Sequence, residues 1–318
     1  MNAAVVHAFD APPRYTTFDE PVAKGEELIV TVMAAGLHPL VKSIASGMHY
    51  GSTGTLPLIP GVDGVGKLED GSRVYFTASR VPFGSMAERS LTVRSRCLPV
   101  PENLDDVAVA AIMNPALSSW VALTGRAKFA AGESLLILGA TGVAGQLAIQ
   151  VAKRLGARKV VAAGRNPAAD DLKKLGADVV IALNADRDAL VSSFRNEWAE
   201  NKIDVVLDYL WCSPAEIVLE SFTQRGLQHA APRIRFVQVG ASAGTAISLP
   251  AAILRSSGLE LIGSGFGSLS MEKIHESLGD FLKEAAREPF QMKTATAPLK
   301  DVEARWNAPQ KARLVFQP

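Results

Sequence analysis

Cysteine is nearly absent from this sequence. Only Cys97 and Cys212 occur among its 318 residues, and they lie far apart in the chain. This count excludes a scaffold held by several disulfides and a zinc site built from four thiolates. Cys212 follows Trp211 in an apolar context, which favours a buried, inert thiol over a nucleophile.

The sequence also has no excess of positively or of negatively charged residues. Lys and Arg number 33 against 32 Asp and Glu, so the formal net charge is +1. No basic block is present that could bind a phosphate backbone, which argues against nucleic acid as the main partner. Long uninterrupted apolar runs are absent, as is a cationic start followed by an apolar core. We therefore expect no membrane insertion and no signal peptide, and a cytoplasmic protein.

The pattern of apolar residues changes along the chain and predicts two domains. Residues 1–115 contain short alternating stretches separated by Gly and Pro clusters, which predicts a β-rich domain. Residues 116–263 alternate apolar stretches with helical segments, which is typical of an α/β domain with a doubly wound parallel sheet. We expect residues 264–318 to return to the first domain. The predicted strands of the sheet are 134–138, 159–163, 178–182, 204–208, 235–239 and 259–263.

A glycine-rich turn joins the first of these strands to a helix. Gly139, Gly142 and Gly145 stand there, with Ala140 where the usual pattern has another glycine. Gly142 lets the backbone approach a diphosphate, Gly145 lets the helix pack tightly on the strand, and the helix N-terminus offers unpaired N–H groups. The sequence predicts a dinucleotide site in which the diphosphate is bound by Gly139, Ala140, Thr141, Gly142, Val143 and Ala144.

The end of the second strand indicates which dinucleotide is bound. An NAD site carries an acidic residue there, which binds the ribose 2′-hydroxyl. This sequence has Gly164 at that place and Arg165 beside it, and a guanidinium can bind a 2′-phosphate with two parallel hydrogen bonds. Asn166 can contact the same phosphate or act as a turn residue. We therefore predict NADP(H) as the cofactor.

The series of motifs resembles the medium-chain dehydrogenase/reductase superfamily, and most closely its zinc-independent quinone oxidoreductase-like branch. The resemblance rests on PGVDGVG (60–66), GSMAERSLTV (84–93), GATGVAG (139–145) and LGAD (175–178). It implies a GroES-like, β-rich catalytic domain, a Rossmann-type cofactor domain and a cofactor in the cleft between them. It also implies transfer of a hydride between the nicotinamide and a quinone, an electron-poor double bond or a carbonyl.

Zinc-binding members of the superfamily hold a catalytic metal through two cysteines and a His-Glu pair. The matching positions in this sequence are His38, Val62 with Asp63, and Asn114. Both thiolates are missing, Val62 cannot bind a metal, and the cysteine-rich lobe for a structural zinc is absent as well. One histidine with two weak oxygen donors is a poor zinc site, so we expect no metal.

Without a metal, side chains or water must polarise the acceptor and deliver a proton. The resemblance suggests His38, Tyr50 and Asn114 as residues of the acceptor pocket, with Ser118 near the nicotinamide. Tyr50, His49, His38 and water all remain possible proton donors. Each of these side chains could equally satisfy a local turn or helix cap.

Further along the chain, residues at strand ends are expected near the ribose and nicotinamide. The segment 263–267 looks like the place where the chain crosses back, with glycines that permit close approach to the cofactor. The predicted cofactor contacts in this half are Asp208, Tyr209, Val239, Gly240, Ala241, Gly263 and Ser264.

The leading interpretation is an NADPH-dependent reductase of quinones, enones or similar activated alkenes or carbonyls. Its partner is then a small hydrophobic electron acceptor. The alternative is a non-catalytic NADP(H)-binding redox sensor or scaffold protein. The turn GATGVAG also occurs in atypical short-chain reductases, but those carry it near the N-terminus. The stretch 246–263 resembles the segment through which this superfamily pairs edge strands, which predicts a homodimer.

Overall fold

The computed structural model describes residues 1–223, 232–265, 267–309 and 312–318. The strands are β1 Asn2–Val5, β2 Arg14–Thr17, β3 Glu27–Gly36, β4 Asp63–Leu68, β5 Arg73–Thr77, β6 Arg89–Val93, β7 Cys97–Pro99, β8 Ser134–Leu138, β9 Lys159–Gly164, β10 Val179–Ala182, β11 Val205–Asp208, β12 Arg233–Gln238, β13 Gly258–Gly263, β14 Thr294–Pro298 and β15 Arg313–Gln317. The α-helices are α1 Pro39–Ala45, α2 Asp106–Ala116, α3 Val143–Arg154, α4 Ala169–Lys174, α5 Arg187–Asn201, α6 Cys212–Ser221, α7 Ala251–Ser256, α8 Met271–Arg287 and α9 Val302–Trp306.

The chain divides into two compact units. Unit 1 consists of residues 1–114 and 282–318, and unit 2 of residues 115–281. The second division therefore falls inside α8 and not at the expected 263/264. The reason is that the first part of α8 packs within unit 2, where the ring of Phe281 meets that of Trp120 edge-on at 5.7 Å.

Unit 1 is built on antiparallel strands, as the alternating apolar pattern requires. Its main sheet has the order β14-β15-β3-β4-β5-β7, with β6 also paired to β3, and β1 and β2 form a separate ribbon. The strand β15 pairs with β14 in parallel and with β3 antiparallel, so the C-terminal segment returns to the sheet of the N-terminal segment. The core is formed by the inward-facing side chains of these strands, among them Val30, Phe76, Leu91 and Phe316.

Unit 2 is a doubly wound parallel sheet of the Rossmann type. The strand order is β10-β9-β8-β11-β12-β13, and every pair is parallel. Each strand lies within two residues of its predicted position. Their continuous apolar sequences follow from burial on both faces, as in β8, where all five residues are buried.

The strands of unit 2 end at a common edge. Leu138, Asp208, Gln238 and Gly263 are the last residues of β8, β11, β12 and β13, and each is in register with the end of its neighbouring strand. In open parallel sheets this edge, outside the carboxyl ends of the strands, is where ligands bind. The glycine turn begins directly after Leu138.

A long helical segment precedes the sheet of unit 2. The sequence predicts one helix over 108–127, but α2 ends at Ala116 and the segment continues as a wider, π-type helix over Leu117–Ala127. Pro115 lies at the change because it cannot donate a backbone hydrogen bond within a helix. The combined segment is long and apolar enough to cross a membrane, yet most of it is buried inside the protein, so length and composition are weak evidence for a membrane span.

Candidate functional site

The glycine turn is fixed to the neighbouring strand by backbone hydrogen bonds. The N–H groups of Gly139 and Ala140 both donate to the carbonyl of Ala163 in β9, each at 2.9 Å. Gly139 has a φ of +91°, which a residue with a side chain rarely adopts. The turn therefore presents a fixed backbone surface directly after β8.

The start of α3 forms the open side of this turn. The first helical hydrogen bond runs from the N–H of Gln146 to the carbonyl of Gly142 at 2.9 Å. By helix geometry the N–H groups of residues 143–145 then have no acceptor inside the helix. A Cβ on Gly145 would overlap the carbonyl oxygen of Gly139 and lie 2.6 Å from the Cα of Ala140. The helix can approach the strand this closely only because Gly145 has no side chain, and the result is a backbone cradle that fits a diphosphate.

The end of β9 leaves no room for an acidic side chain. A Cβ on Gly164 would lie 2.6 Å from Cγ2 and 3.0 Å from Oγ1 of Thr141. Arg165 is exposed, and its guanidinium makes no hydrogen bond or ion pair with any residue that the structure describes. A guanidinium without an internal partner can bind a ligand phosphate without first breaking another interaction.

Asn166 acts as a turn residue in this structure. Its φ is +43°. Its N–H donates to Asn184 Oδ1 at 2.8 Å, and Asn184 Nδ2 donates back to Asn166 Oδ1 at 2.8 Å. This reciprocal pair fixes the loop that carries Arg165, and it uses the carbonyl of the Asn166 side chain.

The end of β11 carries a buried carboxylate. Asp208 accepts hydrogen bonds from the N–H groups of Leu210 at 2.8 Å and Trp211 at 3.1 Å. Burial raises the pKa of Asp208 to about 6, although the two N–H donors act in the opposite direction. The carboxylate therefore faces its own chain and holds the loop after β11 in place.

Tyr209 and Ser118 are neighbours within unit 2. Tyr209 Oη lies 3.4 Å from Ser118 Oγ, and the serine hydroxyl donates to the carbonyl of Pro115 at 2.6 Å. Burial raises the pKa of the Tyr209 hydroxyl above its ordinary value. The phenol is therefore neutral and can act as a hydrogen-bond donor.

The ends of β12 and β13 lie beside the end of β11. The N–H groups of Val239 and Gly240 donate to the carbonyl of Asp208 at 2.8 and 3.1 Å, and Ala241 after them is exposed. Ser264 donates its N–H to the carbonyl of Gln238 at 2.9 Å. The carbonyl of Gly263 accepts from Arg126 Nε at 2.8 Å. Phe266, inside the segment 263–267, lies outside the described residues.

Four polar side chains are buried together in unit 1. His38 has no exposed surface, and its Nε2 lies 3.5 Å from Asp63 Oδ1. Tyr75 donates its hydroxyl to Asp63 Oδ2 at 2.8 Å, and Arg313 donates Nη1 to the carbonyl of Leu37 at 2.7 Å. Within the described residues, neither ring nitrogen of His38 has a hydrogen-bond partner.

The pKa values of this cluster follow from its burial. Desolvation lowers the pKa of His38, and the neighbouring carboxylate of Asp63 offsets this only in part. Desolvation, with the nearby Asp63 charge, raises the pKa of Tyr75 well above its ordinary value. Burial lowers the pKa of Arg313 to about 10, with Asp63 acting in the opposite direction. His38 is therefore neutral near pH 7, and the cluster is anchored by a buried carboxylate and guanidinium.

Tyr50 and Asn114, the other two residues predicted for the acceptor pocket, lie on different elements. Tyr50 is 74% exposed. Its ring lies against that of His49 at 4.2 Å between centroids, and His49 Nδ1 accepts the N–H of Gly51 at 3.0 Å. Burial lowers the pKa of His49. Asn114 is half-buried near the end of α2.

Comparison with known proteins gives one consistent family. A family model described as zinc-binding dehydrogenase matches residues 143–284. A protein of Emericella nidulans named "Probable NADPH-dependent quinone reductase" is 28% identical over 96% of this chain and 96% of its own. The crystal structure of the quinone oxidoreductase from Thermus thermophilus, also solved with NADPH, is 26% identical with a TM-score of 0.82 and covers 100% of both chains. Together these matches support an assignment of the chain to the medium-chain dehydrogenase/reductase superfamily, in its quinone oxidoreductase-like branch.

The named relatives include NADPH-dependent quinone oxidoreductases and an alkenal reductase, which supports an oxidoreductase. A mycobacterial quinone oxidoreductase with 20% identity shares the fold, with a TM-score of 0.83 over 100% of both chains. The human quinone oxidoreductase is 30% identical over 60% of this chain and 59% of its own.

The positions that bind zinc in other members of the superfamily carry few metal ligands in this oxidoreductase. His38 and Asp63 lie side by side, but Val62 is apolar and Asn114 offers only an amide. Among the residues that the structure describes, no group of three or more His, Cys, Asp or Glu side chains could hold a metal ion.

Sequence reasoning missed three features of this oxidoreductase. It did not place Tyr75 and Arg313 beside Asp63, because Tyr75 lies on the following strand and Arg313 on the last strand of the chain. It did not foresee that Thr141 fills the space beside Gly164. It also did not foresee the positive φ of Trp211 and Cys212, for which the two residue types give no signal.

Proposed function

We propose that this oxidoreductase is an NADPH-dependent, zinc-independent reductase of quinones, enones or similar activated alkenes or carbonyls. The observation that carries the proposal is the set of residues at the zinc-ligand positions, where His38 and Asn114 replace the two thiolates and Val62 cannot bind a metal. Without a Lewis acid, an acceptor must itself stabilise the negative charge that develops during reduction. Quinones and conjugated enones do so by delocalisation, whereas simple ketones do not.

The printed names of relatives agree with this substrate class. An Arabidopsis thaliana protein, 31% identical over 51% of this chain, is named as an NADPH-dependent alkenal/one oxidoreductase. A tomato (Solanum lycopersicum) protein, 30% identical over 59% of this chain, is named as a 2-methylene-furan-3-one reductase. Both names describe an electron-poor double bond conjugated to a carbonyl.

In the proposed mechanism, residues 139–144 and the start of α3 bind the diphosphate of the cofactor. Arg165 binds the 2′-phosphate, and the strand ends at Asp208, Gly240 and Gly263 position the other half. When bound, NADPH supplies a hydride to the acceptor, and a proton completes the reduction to the hydroquinone or the saturated carbonyl compound. Gly142, Val143 and Ala144 contribute backbone N–H groups only, so they orient the diphosphate without a chemical role.

His38, Tyr50 and Asn114 are proposed to serve the acceptor. Tyr50 is the strongest candidate for the proton donor, because the residue is 74% exposed whereas His38 is fully buried. His38 is fully buried and held beside Asp63, so we assign it a positioning role. If Tyr50 donates the proton, Tyr50→Phe lowers kcat by about 100-fold or more. Tyr15→Phe serves as a control elsewhere in unit 1, and an unchanged kcat in Tyr50→Phe would assign the proton to water or to His49.

The experiment that tests the substrate class is an acceptor screen with NADPH. We expect turnover with benzoquinone, naphthoquinone and an acyclic enone, none with a saturated ketone, and no loss of activity after dialysis against a chelator. Reduction of saturated ketones that is lost with the chelator would overturn the proposal. Tight NADPH binding without turnover on any acceptor would favour the redox sensor or scaffold.

The contribution of Arg165 is tested by binding. Arg165→Ala should weaken NADPH binding by about 10- to 100-fold, the equivalent of a charge-assisted hydrogen bond, and leave NADH binding unchanged. Arg195→Ala, an exposed arginine on α5, is the matched control. Equal affinity of the wild type and Arg165→Ala for NADPH would remove the residue from the site.

We further propose that the oxidoreductase is a homodimer through the segment 246–263. The strand β13 is at the edge of its sheet, and Leu254 and Leu261 in this segment are 45% and 40% exposed. An exposed edge strand with apolar side chains is suited to pairing with another chain. Light scattering at micromolar concentration should show a dimer, which Leu254→Glu dissociates and Val22→Glu does not; a monomeric wild type would contradict this proposal.

A further inference from the structure

Trp211 has a backbone conformation that is almost restricted to glycine. It follows β11 with φ 59° and ψ −162°, and the next residue, Cys212, has φ 52°. This region of backbone space is strained for any residue with a Cβ. Such strain persists only where surrounding contacts hold it, and it is concentrated at functional sites.

Several contacts hold this conformation in unit 2. The buried carboxylate of Asp208 accepts the N–H of Trp211 at 3.1 Å and that of Leu210 at 2.8 Å. The carbonyl of Leu210 accepts the N–H of Ala243 at 2.8 Å. The indole meets the ring of Phe236 edge-on at 6.4 Å between centroids. Glycine would adopt the same backbone without strain, so what Trp211 adds at this position is its indole.

The indole forms a wall of a cavity of about 330 Å³. The other lining residues are Gln238, Ala241, Thr245, Leu261, Ile262 and Gly263. Two of them, Ala241 and Gly263, are also predicted cofactor contacts, so the cavity borders the predicted site of the nicotinamide half. The cavity lies beyond the ends of β11, β12 and β13, which is the same edge of the sheet as the glycine turn after β8. Neighbouring strands are about 4.8 Å apart, so the cavity is two to three strand spacings from the turn. This is a distance that the ribose and nicotinamide of a dinucleotide can bridge.

The lining is suited to a flat ring with oxygen atoms at its rim. The indole face, Ala241, Leu261 and Ile262 offer apolar contacts. The Thr245 hydroxyl makes no hydrogen bond to the part of the chain that the structure describes, so it is available to a carbonyl oxygen. The volume is at the lower end of the range of about 300–1,000 Å³ for small-molecule sites, which favours one or two fused rings.

We propose that Trp211 and this cavity form a subsite for the aromatic ring of a quinone acceptor, with the indole stacked on the ring. The proposal rests on the proposed reduction of quinones and enones and makes it more specific. It assigns to Trp211 a preference for ring-shaped, aromatic acceptors over acyclic ones. The preference follows because offset stacking requires a flat partner, whereas aliphatic contacts do not.

The test compares two substitutions of Trp211 on two acceptors. Trp211→Leu keeps apolar volume and removes the flat ring, and Trp211→Phe restores a ring. For 1,4-naphthoquinone we expect Trp211→Leu to raise KM about three- to tenfold and Trp211→Phe to recover most of this. For methyl vinyl ketone, an acyclic enone, KM should be unchanged in both. Trp198→Leu, on α5, controls for loss of a tryptophan elsewhere in unit 2.

Other occupants of the cavity give different results, and each overturns the proposal. If the indole contacts the nicotinamide, Trp211→Leu weakens NADPH binding and leaves the ratio of the two KM values unchanged. If a partner chain fills the cavity, the substitution changes the oligomeric state without changing either KM. An equal rise of KM for both acceptors shows a general loss of packing and also counts against the subsite.

Failure of the proposed function is distinguished by direct binding. If the wild type turns over no acceptor at all, naphthoquinone binding to the protein with NADP⁺ present can still be measured by isothermal titration calorimetry, whose signal does not depend on the substituted tryptophan. Binding that is lost in Trp211→Leu and kept in Trp211→Phe supports the subsite even then. Equal binding by all three proteins overturns it.

Discussion

Gly164 and Thr141 compete for the same space beside the glycine turn, because a Cβ on Gly164 would lie 2.6 Å from the Thr141 methyl carbon. Threonine is β-branched and stiff, so the methyl group cannot move aside easily. We expect Gly164→Ala to lower the free energy of unfolding by about 1–3 kcal/mol. In a Thr141→Ala background the same change should cost much less, which a double-mutant cycle in urea measures. Additive effects of the two substitutions would show that the two residues do not compete.

The same crowding bears on cofactor specificity. Replacing Gly164 with Asp supplies the carboxylate of an NAD site, but its Cβ has no place beside Thr141. We therefore expect Gly164→Asp to lower stability and to gain no NADH affinity. Titration of NADH into the variant checks this, with Gly164→Asp/Thr141→Ala as the comparison in which the space is restored. A gain in NADH affinity by the single variant would contradict the argument.

Gly145 and Gly142 belong to one motif but differ in what surrounds them. A Cβ on Gly145 would lie 2.6 Å from the backbone Cα of Ala140, whereas a Cβ on Gly142 would meet only the carbonyl oxygen of Gly139 at 3.4 Å. We expect Gly145→Ala to destabilise the protein by about 3 kcal/mol, because backbone must move. Gly142→Ala should cost less than about 1 kcal/mol, since Gly142 precedes the helix with an ordinary φ of −73°. Thermal unfolding without cofactor compares the two, and equal losses would contradict this account.

Asp208 should make stability fall as pH rises through the acidic range. Burial raises its pKa from 3.8 to about 6 in the folded protein, so between these values the folded state binds the proton more tightly than the unfolded state does. Ionisation then costs on the order of 2–3 kcal/mol. Asp208→Asn lacks this contribution, so its stability relative to the wild type should increase from pH 4 to pH 7. Urea unfolding across this range measures the difference, with Asp10→Asn as an exposed control. A constant difference between Asp208→Asn and wild type would show that the carboxylate is not desolvated.

His38 should make the free energy of unfolding fall as the pH decreases, the opposite of the effect of Asp208. Desolvation lowers its pKa in the folded state, whereas an unfolded histidine titrates near 6.5. As pH falls below about 6.5 the unfolded state takes up a proton that the folded state refuses, so the free energy of unfolding falls. His38→Gln should lose this dependence between pH 5 and 7, while the exposed His7→Gln keeps it. Identical pH profiles for His38→Gln and wild type would mean that burial does not lower the pKa of His38 in the folded protein.

Local sequence determined much of unit 2. Apolar runs and helical stripes alternate, and each strand of the sheet lies within two residues of its prediction because both signals are local. The glycines at 139, 142 and 145 likewise mark a turn that only residues without a side chain permit. Gly164 and Arg165 likewise indicated NADP(H) from the sequence alone. An NAD site has a carboxylate at the end of the second strand, and the residue types at 164 and 165 show that it is absent here.

Tertiary contacts decided the rest. Asp63 and Tyr75 meet because β4 pairs with β5, and Arg313 joins them because β15 returns from the end of the chain to pair with β3. Nothing in the sequence near His38 indicates that its ring is buried, because burial depends on strands that are distant in sequence. The conformation of Trp211 is held by Asp208 and Ala243, so its residue type could not reveal it. The spacing of apolar residues in the sequence shows which face of a helix or strand is buried. Which side chains from other elements contact that face is decided by packing between segments that are distant in sequence.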